Sequence, residues 1–164
     1  RMENKIKLNQ LIEQVWNNEN LDIVEELIAP QYTIYHDPGD PWEGQSLDRA
    51  AYKERVLYSR NAFPDLHFAV KEFVPAEDKI AINWYLSGTH EGDLAGVPAK
   101  GKKINVSGIS IYYFNNGKSL GIGKLSISSR FWPKLVCLLL QRTNNLSEFS
   151  NIKIMRFYAS INAT

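Results

Sequence analysis

The chain has 164 residues, 44% of them hydrophobic and 23% charged, which is the balance of an ordinary globular domain with its own core. A single cysteine, Cys137, excludes an internal disulfide and favours a reducing compartment, so we expect a cytoplasmic protein. The longest strongly apolar run, residues 131–140, is far shorter than the roughly 20 residues of a membrane-spanning helix, and no signal peptide is visible. We therefore expect no membrane partner.

The net charge of +1 is unevenly distributed along the chain. Residues 1–117 carry 12 Lys and Arg against 17 Asp and Glu, whereas residues 118–164 carry 7 against one. A basic segment of this kind can indicate binding to nucleic acid or to an anionic membrane. Here the basic residues are spaced singly among apolar ones and form no cluster, so we expect no nucleic-acid partner.

Three helices and one strand are predicted in the first part of the chain, from the helical spacing of apolar residues and from capping and stop signals. A loop rich in proline and glycine follows the strand, over residues 37–44. The predicted bounds are a first helix from about Glu3 to Trp16, a second from an Asn20 cap to a stop at Pro30, a strand from Gln31 to His36, and a third helix from a Ser46 cap to about Asn61.

From Leu66 onward the apolar pattern changes to a period of two, which predicts strands over residues 66–74, 79–89 and 102–114. Helices followed by a meander of strands indicate an α+β protein. Bulky residues occupy both faces of the last two strands, with Ile109 and Ile111 opposite Tyr112. We expect the helices to cover one face and a partner subunit of a homodimer to cover the other.

The order of short motifs in this region resembles one family. The motifs are Phe63-Pro64-Asp65-Leu66, Gly88-Thr89-His90, Gly96-Val97-Pro98 with Gly101-Lys102, Ser107-Gly108-Ile109-Ser110-Ile111, and the turn Asn116-Gly117-Lys118. Over about residues 3–118 the chain resembles the polyketide-cyclase-like (SnoaL-like) ester cyclases of the nuclear transport factor 2-like superfamily. The resemblance implies a cone-shaped α+β domain, spanning residues 1–130, in which N-terminal helices pack on a curved, mainly antiparallel sheet. Residues 131–164 are then a divergent C-terminal tail.

The resemblance also implies a chemistry that needs no cofactor and no metal. Such enzymes bind a small hydrophobic molecule that contains carbonyl groups. They remove a proton next to one carbonyl, and the enolate attacks a second carbonyl to close a ring. This reaction requires a positioned base, a hydrogen-bond donor for the developing oxyanion, and a dry pocket. The alternative, from a different class, is a non-catalytic ligand-binding or dimerisation module of the same fold.

Three residues are candidates for acid–base catalysis. His36 and Asp37 occupy the family's His-Asp-Pro position, and His90 ends a strand beside the glycine-rich loop of residues 92–101. The alternatives stay open that Asp37 only forms a turn and that both histidines face solvent. Six aromatic residues are candidate pocket walls, although each could equally belong to the core: Tyr32, Trp42, Tyr58, Phe63, Trp84 and Tyr112. The three histidines and one cysteine have no metal-ligand spacing, so no metal site is predicted.

The chain departs from the family directly after the Asn116-Gly117-Lys118 turn. A last strand reading roughly apolar-x-Glu-x-Trp-x-x-x-Asp, with a catalytic carboxylate, is expected there. Residues 119–129 instead read SLGIGKLSISS, without an acid and with two glycines that weaken a strand. Three explanations remain open: a divergent tail that adds a last strand and a helix, a tail that binds a partner, or a change of reading frame near Lys118.

Overall fold

A computed structural model of the protein describes residues 2–37, 40–94 and 98–127, with residues 124–127 described by their backbone alone. The predictions for the divergent tail, residues 131–164, therefore lie outside the described residues. The described part combines helices with a sheet that is mostly antiparallel, so the predicted α+β fold class is confirmed.

The described helices all lie within the first 62 residues, together with the first two strands. The first element, α1, runs over Met2–Gln10 and continues as a π-helix over Leu11–Asn17. A 3₁₀ turn over Leu21–Ile23 leads into the short α2, Val24–Leu27, and α3 spans Arg49–Ala62. The predicted Asn20 cap is confirmed, because its side chain accepts a hydrogen bond of 3.3 Å from the backbone N–H of Asp22.

Six strands form one sheet among the described residues. They are β1 (Ile28–His36), β2 (Ser46–Leu47), β3 (His67–Pro75), β4 (Lys79–Thr89), β5 (Lys103–Asn115) and β6 (Lys118–Ile127), in the spatial order β2-β1-β6-β5-β4-β3. The pairing is antiparallel except between β1 and β6, which run parallel. The predicted turn between β5 and β6 is confirmed: Asn116 and Gly117 both have positive φ, as a two-residue hairpin loop of this type requires.

The alternation of residues along β4 and β5 separates a core face from an outer face. Ile80, Ile82 and Trp84 of β4 are buried on the core face, with Tyr112 and Phe114 of β5 beside them. The helices pack their apolar residues on this side, because an amphipathic helix and a half-apolar sheet each need a partner to exclude water. The outer face of β5 leaves Ile109 55% exposed and Ile111 39% exposed.

Two helix boundaries and one strand boundary differ from the predictions by two residues or more. Pro30 does not stop a helix, because it lies inside β1, which begins at Ile28. Ser46 is not a helix cap; it belongs to the two-residue β2, and Asp48 caps α3 by accepting from the backbone N–H of Ala51 at 2.8 Å. Both errors arise because local capping signals do not reveal strand pairing. Ser46 pairs with Thr33 of β1, and β1 itself, which contains Pro30, pairs with β6.

The segment that departs from the family pattern does form a last strand. Lys118–Ile127 pairs with β5 on one side and with β1 on the other, so it lies in the middle of the sheet. Gly121 belongs to this arrangement: a Cβ built on it would lie 2.9 Å from Tyr35 Cε2 and closer still to the carbonyl oxygen of Thr33. The glycine therefore permits the close approach of β1 and β6 where weakening was expected.

No helix in the described residues is long and apolar enough to cross a membrane. Nor do these residues contain a group of three or more His, Cys, Asp and Glu side chains that could hold a metal ion.

Candidate functional site

A cavity of about 240 Å³ lies between the helices and the inner face of the sheet. Its wall is mixed, with aromatic and aliphatic side chains surrounding a few charged and hydroxyl groups, which is the composition expected of a small-molecule site. The lining residues are Trp16, Asp37, Asp40, Pro41, Arg55, Tyr58, Ser59, Phe63, Leu66, Phe68, Leu86, Leu94, Ser110, Tyr112 and Ile122.

The charged part of the wall is an ion-pair triad of Arg55, Asp37 and Asp40. Nη2 of Arg55 lies 2.9 Å from an oxygen of Asp37, and Nε lies 2.7 Å from an oxygen of Asp40. The three side chains are only 6%, 4% and 13% exposed. Charges this deeply buried persist only when they are paired and hydrogen-bonded, so the triad is held together as one unit. Two carboxylates against one guanidinium leave it one negative charge.

Local structure explains how the triad is assembled. On α3, Arg55 lies on the same buried face as Tyr52 and Val56. Asp37 directly follows β1, and the backbone N–H of Asp40 bonds the Asp37 carbonyl at 2.9 Å, which brings the two carboxylates to the same end of the strand. Asp40 is fixed further because its other oxygen accepts from the backbone N–H of Trp42 at 2.8 Å.

Burial and the triad shift the pKa values of the groups around the cavity. Burial lowers the pKa of Arg55, but the carboxylates of Asp40 and Asp37 outweigh this effect and hold it above its ordinary value. Burial raises the pKa of Tyr112 above its ordinary value and that of Tyr52 to about 12. At neutral pH the cavity wall therefore presents a charged guanidinium and a protonated phenol.

Strand β5 contributes two hydroxyl groups to the wall. Ser110 and Tyr112 are two residues apart on the inner face, so both side chains point toward the helices. Trp84 of β4 lies beneath Ser110 and donates a hydrogen bond of 2.8 Å from its indole N–H to the serine oxygen. The indole also stacks on Phe68, another lining residue, with ring centroids 5.4 Å apart.

The predicted pocket aromatics divide into three groups. Tyr58, Phe63 and Tyr112 line the cavity. Tyr32 and Trp84 are fully buried core residues that are not among the lining residues, although Trp84 contacts the lining through Ser110. Trp42 is partly buried and packs edge-on against Tyr58, with ring centroids 5.3 Å apart.

The predicted catalytic residues also lie in different places. Asp37 lines the cavity, whereas neither histidine does. His36 is on the exposed side of the end of β1, where its Nδ1 lies 2.9 Å from a carboxylate oxygen of Glu43. His90 packs against Phe63 with ring centroids 5.3 Å apart, and its buried Nε2 has no hydrogen-bond partner within the part of the chain that the structure describes.

Sequence reasoning missed Arg55, Asp40 and Ser110. A signal for Arg55 was present, because an arginine three residues after Tyr52 and one before Val56 falls on the apolar stripe of α3. A charged residue within such a stripe indicates a buried ion pair. The last strand supplies no alternative, since Lys118–Ile127 contains no acid. Among the described residues, the carboxylates that face the cavity are those of Asp37 and Asp40.

The chain is similar to several known proteins over this region. Residues 6–119 match the sequence profile of the SnoaL-like polyketide cyclases. A protein from Acidithiobacillus ferrooxidans described as a polyketide cyclase is 38% identical, with a TM-score of 0.71 over 81% of this chain and 94% of that protein.

Two further solved structures share the fold at lower identity. IdmH from Streptomyces antibioticus, also described as a polyketide cyclase, is 22% identical, with a TM-score of 0.66 over 80% of this chain and 97% of its own. AclR from Streptomyces galilaeus, described as a hydroxylase, is 23% identical, with a TM-score of 0.63 over 84% of this chain and 96% of its own. No curated protein matches the sequence.

Proposed function

Because the chain belongs to the SnoaL-like polyketide cyclase family, we propose that it binds a small hydrophobic molecule with carbonyl groups in the cavity and closes a ring by cofactor-free acid–base chemistry. The observation that carries this proposal is the carboxylate of Asp37, which lines an otherwise largely apolar cavity and is held by the buried Arg55. A carboxylate in such a setting can accept a proton from a carbon acid bound next to it.

We assign the proton acceptor to Asp37, the carboxylate that directly follows His36 at the end of β1 and lines the cavity beside Arg55. Asp40 has a structural part, because its two oxygens hold Trp42 and Arg55. The Arg55 guanidinium stabilises negative charge on the substrate as the enolate forms. Tyr112, kept protonated by burial, is the hydrogen-bond donor to a carbonyl oxygen.

The reaction is an isomerisation in which no atom is gained or lost. Asp37 takes the proton from the carbon between two carbonyls, and the electron pair moves into the enolate. The enolate carbon then forms a bond to the carbon of a third carbonyl group elsewhere in the same molecule, and the electron pair of that C=O bond moves onto its oxygen, which becomes an alkoxide. The alkoxide takes the proton back and becomes a hydroxyl group. The carboxylate is thereby regenerated for the next cycle.

The experiment measures proton removal directly and does not need the natural substrate. Ethyl benzoylacetate, an apolar β-keto ester, is dissolved in D₂O, and the loss of its methylene protons is followed by NMR. We expect the wild-type protein to accelerate exchange and Asp37→Asn to reduce the acceleration by roughly 10²-fold or more. Asparagine keeps an acceptor for Arg55, so the substitution removes the base while leaving the triad hydrogen-bonded.

His36→Ala is the matched control, because His36 is adjacent in sequence but lies outside the cavity lining. It should leave exchange unchanged. Equal losses in both variants would contradict the assignment to Asp37. If the ester binds but its exchange is not accelerated, the alternative of a non-catalytic ligand-binding module is favoured. If the ester does not bind, the cyclase hypothesis and the ligand-binding hypothesis are both contradicted.

We also propose that the protein is a homodimer that pairs through the outer face of the sheet. Ile109 and Ile111 are exposed there next to Tyr113, whose ring contacts the 57% exposed Tyr35 at 5.2 Å between centroids. On the neighbouring strand β6, Gly123 lies beside Ile111. Because glycine has no side chain, the surface at this point is flat and apolar. A second copy of the same face would cover it and exclude water.

A further inference from the structure

The hydroxyl group of Ser110 lies between the cavity and the indole of Trp84. Ser110 is only 1% exposed, and its Oγ accepts the 2.8 Å hydrogen bond from Nε1 of Trp84. A serine hydroxyl has one proton to donate and two lone pairs that can accept. Because an indole N–H can only donate, this bond occupies a lone pair and leaves the hydroxyl proton for another partner.

No acceptor for that proton is found among the described residues, although Ser110 lines the cavity. Buried hydroxyl groups are nearly always paired, because an unpaired one has lost its hydrogen bonds to water without replacement. Trp84 cannot easily turn away, since it is fully buried and stacked on Phe68. The serine oxygen is therefore held in place with its proton directed away from the indole.

We propose that Ser110 donates a hydrogen bond to a carbonyl oxygen of the molecule in the cavity, and that Trp84 is the positioning residue that orients the hydroxyl. This inference rests on the proposed function and extends it by naming what the ligand must present beside β5: an acceptor oxygen on an apolar frame. A donor fixed in advance needs no reorganisation when negative charge develops on that oxygen. Trp84 thus serves the site through Ser110, without contacting the ligand.

The test compares two ligands of the same shape. 2-Acetylnaphthalene carries a carbonyl oxygen, and 2-isopropenylnaphthalene has a methylene group in its place. Calorimetric titration of the wild-type protein should show a preference for the carbonyl ligand. Ser110→Ala should weaken its binding roughly 2- to 12-fold, the loss of one hydrogen bond, and leave the hydrocarbon unaffected. Trp84→Phe should also weaken the binding of the carbonyl ligand.

The double variant identifies the route by which Trp84 acts. If the tryptophan acts through Ser110, a protein with both Ser110→Ala and Trp84→Phe should bind the carbonyl ligand no more weakly than Ser110→Ala alone. Ser107→Ala is the matched control, because Ser107 is on the opposite face of the same strand. Urea unfolding of each variant separates a loss of binding from a loss of stability. Should Trp84→Phe fail to fold, Ser110→Thr, which retains a hydroxyl, is expected to keep the preference that Ser110→Ala loses.

Two results would overturn the inference, and they differ in what else they overturn. If Ser110→Ala weakens both ligands equally, or neither, Ser110 does not recognise the oxygen, but the cavity remains a binding site and the proposed function stands. If the wild-type protein binds neither naphthalene nor the β-keto ester, the inference and the proposed function fall together.

Discussion

At the scale of single residues, the position of Arg55 decides what the cavity can do. A guanidinium that is 6% exposed in its side chain must be paired, and the carboxylates of Asp37 and Asp40 complete the pairing. The same contacts hold two carboxylates in the wall of the cavity. The structural ion pair and the proposed proton acceptor therefore share one set of atoms.

This arrangement predicts a large stability cost for Arg55→Met. Removing one partner of a buried pair leaves uncompensated charge in the interior, and we expect the free energy of unfolding to fall by about 3–5 kcal/mol. Urea unfolding at neutral pH measures this decrease in the free energy of unfolding. Lys53→Met on the same helix is the matched control, because Lys53 pairs with the exposed Glu25 at 2.7 Å and should cost no more than about 1 kcal/mol. Similar losses in the two variants would contradict the buried triad.

At the scale of elements, two contacts fix the strands around the cavity. One is a carboxylate clamp, in which Asp65 before β3 accepts from the backbone N–H of Thr89 at 2.6 Å and from its hydroxyl at 2.7 Å. The other is the parallel pairing of β1 with β6, which passes close to the backbone at Gly121. Each contact joins segments distant in sequence, and each predicts a measurable consequence.

The clamp predicts an acid-dependent contribution to stability. The backbone hydrogen bond from Thr89, followed by the one from its side chain, lowers the pKa of Asp65 below its ordinary value of 3.8. Because the pKa of Asp65 is lower in the folded than in the unfolded state, its ionised carboxylate stabilises the fold at any pH above the ordinary pKa. This stabilisation is lost as the pH falls through the pKa of the folded state. Asp65→Asn should therefore be less stable than wild type at neutral pH, and the difference should shrink in acid.

Urea unfolding of wild type and Asp65→Asn at a series of pH values measures this effect. Thr89→Val removes the hydroxyl donor but keeps the backbone donor, so it should show a smaller difference with the same pH dependence. A difference between wild type and Asp65→Asn that stays constant across the acid range would exclude the clamp as its cause.

The approach of β1 to β6 predicts different outcomes for two glycines in one strand. A methyl group at Gly121 would meet the Thr33 carbonyl and the Tyr35 ring, whereas the nearest atom to a methyl group at Gly123 is the Tyr113 hydroxyl oxygen, 3.9 Å away. Gly121→Ala should lower the free energy of unfolding by about 1–3 kcal/mol through overpacking. Gly123→Ala should change it by no more than about 0.5 kcal/mol, and equal effects would contradict the close approach.

At the scale of the whole molecule, the sheet has one face toward the helices and one that is only partly polar. The proposed homodimer predicts that Ile111→Lys, which places a charge in the centre of the outer face, converts a dimer into a monomer. Sedimentation velocity measures the mass. Ile6→Lys is the control, because Ile6 is 55% exposed on α1 and should leave the dimer intact. A monomeric wild-type protein would refute the proposal.

The reading-frame explanation for the basic C-terminal segment also belongs to this scale and stays a prediction. Translating the nucleotide sequence around codon 118 in all three frames tests it. If one frame reads Glu-x-Trp-x-x-x-Asp, the reading-frame explanation is supported. If no frame contains this motif, the explanation is excluded. In the chain as it stands, β6 takes the central place of a last strand although it contains no acid.

The sequence by itself determined the strands from β3 to β5, the turn at Asn116 and Gly117, and which residues of β4 and β5 share a face with Trp84 and with Tyr112. These features depend on the alternation of neighbouring residues and on backbone preferences, both of which are local. It also placed Asp37 among the candidate site residues, although not for the contact it makes with Arg55.

Only the tertiary structure decided that β6 lies between β1 and β5, that Asp40 and Arg55 join Asp37, and that Trp84 lies beneath Ser110. Arg55 and Asp37 are 18 residues apart in the chain, and Trp84 and Ser110 are 26 apart. Which distant groups meet depends on how the chain packs as a whole, because burial forces each charge and hydroxyl to find a partner from another element.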